Sequence, residues 1–162
     1  MIGLSPENPR IRHAARVLLL DELNRVLLIR YVEGESVWWS AIGGGLEPGE
    51  THADAARREV IEETGQTDVE IGPCVWLREH IFELRGRWLR QIERFFVARV
   101  SSFEPTAGYY PGIEGEMFGG VRWWTLEELD STDENLSPRR LAILLRDLIE
   151  TGPPGEPIEA GV

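Results

Sequence analysis

The stretch from Ile42 to Gly65, IGGGLEPGETHADAARREVIEETG, limits the fold more than any other part of the chain. Gly43, Gly44 and Gly45 interrupt regular structure, so a strand arriving from SVWWSAI is expected to end there. Thr51 to Thr64 then reads as a helix. Thr51 is placed to cap it, Asp54 completes a capping box, and Gly65 stands where helices stop in a left-handed turn. On a helical wheel Ala53, Ala56, Val60, Ile61 and Thr64 share one mostly apolar arc, with alanines small enough for close approach to a sheet. Glu59, Glu62 and Glu63 fall at i, i+3 and i+4 and share another face. Like charges at that spacing repel, costing about a few tenths of a kcal/mol per exposed pair. A bound divalent cation reverses that sign, because carboxylate oxygens are the ligands Mg²⁺ prefers. Clustered glutamates are ordinarily a solvated face and glycines an ordinary loop. What distinguishes this stretch is the joint spacing: Gly44, five residues, Glu50, seven residues, then REVIEETG from Arg58 to Gly65.

Around this core the chain alternates short apolar runs with turns. ARVLLL and RVLLIR flank DELN and predict two strands, with SVWWSAI as a third. Residues 69–79 and 88–100 are strand-like, joined through a hairpin at Arg85-Gly86-Arg87. Residues 101–120 have no clean period and predict a long loop. VRWW predicts a short strand, and Thr125 with Glu128 a capped helical turn. Ser137-Pro138 is expected to start a last helix, with Leu141, Leu144, Leu145, Leu148 and Ile149 as its apolar stripe. The organisation expected is an N-terminal arm at 1–12, one domain at 13–150 and a flexible tail at 151–162. Strands mixed with few helices predict an α/β fold whose sheet is mixed or largely antiparallel.

Composition narrows the function classes. The 162 residues suffice for one globular domain, and 42% hydrophobic content argues against extended disorder. A net charge of −11 argues against a stable nucleic-acid complex, while leaving room for a small phosphorylated ligand held by metal and a few arginines. No run is long enough to span a membrane. Cys74, the only cysteine, forbids an intramolecular disulfide and fits a reducing, cytoplasmic setting. His13, His52 and His80 have no zinc spacing, and no P-loop, dinucleotide fingerprint or nucleophile motif is present.

The spacing of Gly44, Glu50, Arg58, Glu59, Val60, Glu62, Glu63 and Gly65 resembles the motif of the Nudix (MutT-like) hydrolase family. Gln66 departs from it where an aliphatic residue is usual, and Ile42 stands where proline often precedes the paired glycines. With the strand order around it, the resemblance extends over residues 13–149. It implies an α/β/α sandwich on a mixed, largely antiparallel sheet. It also implies Glu59, Glu62 and Glu63 as ligands of Mg²⁺ (or Mn²⁺), with the Gly43 carbonyl as a further ligand. Arg58 becomes the orienting arginine, and Glu50 an outer or helix-start group. The general base of such enzymes often comes from beyond the motif; Glu114, Glu116 and Glu93 are candidates, and Glu116 is preferred.

The implied activity is metal-dependent hydrolysis of a phosphoanhydride in a nucleoside diphosphate linked to another moiety. One alternative is a (deoxy)nucleoside triphosphate pyrophosphohydrolase that releases monophosphate and pyrophosphate. Another is a non-catalytic nucleotide-binding module, which would have no need to keep the repelling trio complete. For the substrate, Arg16 and Arg87 are candidate phosphate contacts, and Trp88, Tyr109 and Phe118 candidate platforms for a base. The Trp-rich strands would support a homodimer as readily as a monomer.

Overall fold

The computed structural model describes residues 1–106, 108 and 112–162, without the side chains of 112–114. Among them, strands β1 (Arg10–Leu20), β2 (Val26–Glu33) and β3 (Ser36–Gly45) precede helix α1 (His52–Thr64). Strands β4 (Cys74–Leu84) and β5 (Arg87–Arg99) follow, then α2 (Gly112–Met117), β6 (Phe118–Trp124), α3 (Leu126–Ser131), β7 (Leu136–Ser137), α4 (Leu141–Thr151) and β8 (Ile158–Glu159). The main path of the sheet runs β6-β2-β3-β1-β5-β4-β8, with β7 added beside β3. β1 with β5, β3 with β7 and β4 with β8 are parallel pairs, and the other ladders are antiparallel. The sheet is therefore mixed, as its alternating runs and sparse helices imply.

Strand alternation divides the core into two layers. Ala15, Val17, Leu19, Ile42 and Phe96 pack with Ala55, Ala56 and Val60 of α1. Leu18, Leu20, Trp39, Trp76, Phe95 and Trp124 pack with α3 and α4 through Leu129, Leu141, Leu144, Leu145 and Leu148. Trp76, Phe95 and Trp124 are at most 1% exposed, and burying a side chain of this class contributes about 1.5–3 kcal/mol. This gives helix, sheet and helix in three layers.

The helix ends follow their residues. Thr51 Oγ1 accepts from Asp54 N–H while Asp54 Oδ2 accepts from Thr51 N–H, both at 3.1 Å. Gly65, at φ 74°, closes the helix with its N–H on Ile61 O. The hairpin tip between β4 and β5 places Arg85 and Gly86 at φ 51° and 75°, the paired positive values of the tightest strand turns.

Several expectations differ from the structure. Gly43, Gly44 and Gly45 do not end β3; they extend it, pairing with Arg16, Ala15 and Ala14 of β1. Pairing with β1, together with side-chain partners on Gly43 and Gly45, holds their backbone groups and outweighs their low strand preference. Ile61 is 40% exposed, whereas Glu59 and Glu63 are buried, so α1 is turned towards its acidic side. Residues 69–73 precede β4 rather than joining it. Within the long loop, α2 forms just before β6. Ser137 does not cap α4: it ends β7 before a cis Ser137–Pro138 bond, and α4 starts at Leu141 after Arg140, without a side-chain cap. Residues 151–162, expected as a flexible tail, return to the sheet. β8 pairs with Trp76 and Leu77, and Ala160 is fully buried in the α4-side core. At the other end, Arg10–Arg12 of the expected arm already belong to β1.

Candidate active site

The site begins with an absence of side chains. An added Cβ on Gly44 would lie 2.5 Å from Glu59 Oε1, and one on Gly43 would lie 2.1 Å from Ala15 O. Only glycine lets β3 lie this close to both α1 and β1. In that space Glu59 is 5% and Glu63 2% exposed. Gly43 N–H donates to Glu63 Oε1 at 2.7 Å. Burying a carboxylate is costly without donors or a cation, so this placement is not the solvated face that clustered glutamates usually make.

Arg58 organises the remaining acids. Its Nε donates to Glu50 Oε2 at 2.8 Å, and its terminal nitrogens donate to Glu59 Oε1 at 2.9 Å, Glu62 Oε2 at 3.2 Å, Glu50 Oε1 at 2.9 Å and Gly45 O at 2.9 Å. These bonds hold the Glu50 carboxyl below its ordinary value against the cost of burial. They also raise the proton affinity of the guanidinium itself. Arg58 thus fixes the rotamers of Glu50, Glu59 and Glu62 together, and ties them to the end of β3.

Among the described residues, no group of three or more His, Cys, Asp or Glu side chains is arranged to hold a metal ion. Arg58 Nη1 stands between Glu59 and Glu62, bonded to one oxygen of each. The donor chemistry still fits a hard divalent cation. Glu59 and Glu63 are buried carboxylates from one helix, and Gly43, whose N–H binds Glu63, adds a carbonyl that accepts from Arg16 Nη1 at 3.1 Å.

A groove of about 2040 Å³ adjoins this centre, lined among others by Arg58, Glu59, Tyr31, Arg12, Arg78 and Arg87. Tyr31 and Trp38, both lining it, stack with ring centroids 5.7 Å apart. Gly108 of the long loop lies against the last turn of α1, where an added Cβ would sit 2.4 Å from Glu63 O. The loop therefore reaches the acidic helix, as a region that completes a site would.

The other anticipated residues divide. Arg87 lines the groove. Trp88 points to the opposite strand face from Arg87, and its N–H donates to Gly3 O. Phe118 packs against the core on the α1 side. Tyr109 lies outside the described residues, as does the Glu114 side chain. Glu116 is an exposed rim group paired with Arg85, whose guanidinium also holds Glu33. Arg16, expected at a phosphate, is 7% exposed and committed to Glu93 at 2.7 Å. Glu93, considered as a base, is fully buried and also binds Arg78 and His80. The parts missing from the sequence reading are Arg78, His80 and Ser137, whose Oγ accepts from Arg78 at 2.7 Å. The cluster draws on β1, β4, β5 and β7, and no local spacing announces it.

Residues 10–146 match the model of the NUDIX domain family. Among curated proteins, the chain is 39% identical over 69 residues to Nudix hydrolase 19, chloroplastic, of Arabidopsis thaliana, covering 42% of this chain and 15% of that protein. It is 30% identical over 102 residues to the RNA pyrophosphohydrolase of Pelagibacter ubique, covering 57% of this chain and 63% of that protein. The chain thus spans less than two thirds of either relative. Among solved structures, the MutT protein from Methanosarcina mazei Go1 superposes with a TM-score of 0.65 at 21% identity, covering 88% of this chain and 96% of that one.

Proposed function

Since this chain belongs to the Nudix hydrolase family, we propose that it hydrolyses the phosphoanhydride of a nucleoside diphosphate linked to another moiety. The observation that carries this reading is the burial of Glu59 and Glu63 against Gly43 and Gly44, with Glu59 lining a groove. That groove carries Arg12, Arg87, Arg139 and Arg140 beside acids that include Glu33, Glu47, Glu83 and Glu134, so cationic partners for an anionic ligand stand near the buried carboxylates.

The chain's own residues divide the work. Glu59, Glu62 and Glu63, with the Gly43 carbonyl, would hold Mg²⁺ or Mn²⁺, which when bound supplies neutralisation of phosphate oxygens and makes an attacking water easier to deprotonate. Arg58 keeps Glu59 and Glu62 oriented and joins them to Glu50 and Gly45. A carboxylate of this set accepts the proton of the attacking water. Glu116, exposed and paired with Arg85, acts at the rim. Groove arginines such as Arg87 bind phosphate oxygens, and the stacked Tyr31 and Trp38 offer a flat apolar wall to a base.

The groove, at about 2040 Å³, has room for an X-linked diphosphate and for a triphosphate, so turnover decides between them. The deciding experiment incubates the protein with Mg²⁺ or Mn²⁺ and a panel holding nucleoside triphosphates, nucleotide sugars, dinucleoside polyphosphates and 5′-triphosphorylated RNA. Both products are identified, in ¹⁸O-labelled water. Faster turnover of a linked diphosphate supports the reading. Exclusive release of monophosphate and pyrophosphate from triphosphates replaces it with the sanitising alternative. Tight binding without turnover replaces it with a binding module.

A further inference from the structure

The carboxylate of Glu93 is enclosed behind the groove residues Arg16, Arg78 and His80. It is fully buried, with Arg16 on one oxygen at 2.7 Å and Arg78, at 2.7 and 3.1 Å, and His80, at 3.1 Å, on the other. Burial opposes its ionisation, yet Arg16, the His80 hydrogen bond and Arg78 outweigh that cost and hold the carboxyl well below its ordinary value. A buried ion cluster is a poor way to gain stability, since well-packed apolar side chains do as well or better. What it does supply is fixed geometry. Two guanidinium planes and an imidazole are locked around a single acceptor.

The locked geometry leads to the acidic helix. Arg16, held by Glu93 through Nε, donates from Nη1 to Gly43 O at 3.1 Å and reaches Ala41 O at 3.5 Å. Gly43 in turn donates its N–H to Glu63. At φ 149° and with no room for a Cβ, Gly43 has a backbone conformation that neighbours must impose. On one side those neighbours are Ala15 and Arg16, the latter held by Glu93, and on the other Glu63.

We propose that Glu93 is a positioning residue: through Arg16 it fixes the backbone of Gly43, and through Gly43 the seat of Glu63. The idea rests on reading the acidic helix as the catalytic centre, but its geometric half can be tested without turnover. Glu93→Gln keeps the shape and replaces one acceptor with an amide donor facing arginine, which disrupts the hold on Arg16. The expected result is a kcat about tenfold lower or more, with KM moved less than about threefold. The ¹H–¹⁵N signal of Gly43 also shifts, and its amide exchanges about tenfold faster or more.

Arg16→Lys is the second variant and covers a Glu93→Gln protein that fails to fold. It keeps the charge but loses the planar fork that reaches Glu93 and Gly43 together. The same pattern at smaller amplitude is expected. A folded variant with wild-type kcat and an unmoved Gly43 signal overturns the proposal, as does a loss confined to KM, which would make the cluster a substrate contact. A fall in melting temperature alone, with kcat and Gly43 unchanged, also overturns it and leaves a purely structural cluster. If the wild-type chain hydrolyses none of the nucleotides, the functional reading fails. The Gly43 signal then still decides whether Glu93 sets that backbone.

Discussion

Glu59 and Glu93 are both buried carboxylates bound to arginines that line one groove, yet their surroundings run in opposite senses. Around α1, Glu50, Glu59 and Glu62 divide one guanidinium, that of Arg58. In the second cluster, Arg16, Arg78 and His80 share a single carboxylate, that of Glu93. In the first cluster acceptors outnumber the cationic group they share, which is the composition of a seat for further positive charge. In the second the donors outnumber the acceptor, which is the composition of a brace. On the proposed reading the same residue types serve chemistry in one place and shape in the other, and the ratio of acids to bases separates them.

Charge-neutral substitutions give the sharpest contrast. Glu59→Gln or Glu63→Gln should lower kcat by about 10²–10⁴-fold in a folded protein, measured at saturating substrate with Mg²⁺. The corresponding change at Glu93 should cost far less. Equal losses at the two clusters would abolish the distinction drawn from their composition.

Next in size is a change in the space that allows the acidic cluster to be buried. Gly44→Ala puts a methyl group 2.5 Å from Glu59 Oε1, so the carboxylate or the strand has to move. A loss of about 10–100-fold in kcat and of about 1–3 kcal/mol in stability is expected, read from kinetics and urea denaturation. Gly49→Ala is the control. Its φ of 82° strains an alanine, but no atom lies within 4 Å of the added methyl, so only stability should fall, by about 1 kcal/mol. Arg58→Lys comes after these. An ammonium cannot replace the fork joining Glu50, Glu59, Glu62 and Gly45, and a kcat loss of about tenfold is expected.

The two clusters also differ in how far the sequence reveals them. Glu59, Glu62 and Glu63 lie within one helical turn, so spacing alone puts them together, and Thr51, Asp54 and Gly65 mark the helix by local rules. The α4 stripe is legible for the same reason. Arg16 and Glu93 are 77 residues apart, and Arg78 meets Glu93 only because β4 and β5 pair in one register. A one-residue slip would turn those side chains to the opposite face. The glycine strand was hidden too, because its partner β1 supplies what the glycines lack locally. Turning α1 onto its glutamates followed from the fit between Glu59 and Gly44, which a wheel of hydrophobicity cannot contain.

Acid separates the two regions by the least change in energy and the clearest change in pH. Desolvation, with the nearby charges of Arg94 and His13, lowers the proton affinity of His52 at the start of α1. The contribution of His52 is therefore complete above its ordinary value of 6.5 and lost as pH falls through and below it. Glu93 has the same sign in a lower window. Its contribution is complete above the ordinary 4.5 and lost as pH falls towards its folded value, well below that. Either slope is bounded at about 1.4 kcal/mol per pH unit for one proton. Half-exposed His52 should use only a few tenths of a kcal/mol of that limit. Urea titrations at pH 7.5, 5.5 and 3.5 should show His52→Gln flattening the first interval and Glu93→Gln the second. If Glu93→Gln flattened the upper interval instead, the carboxylate would be titrating near neutrality. It could not then be the ionised centre that holds Arg16 in place.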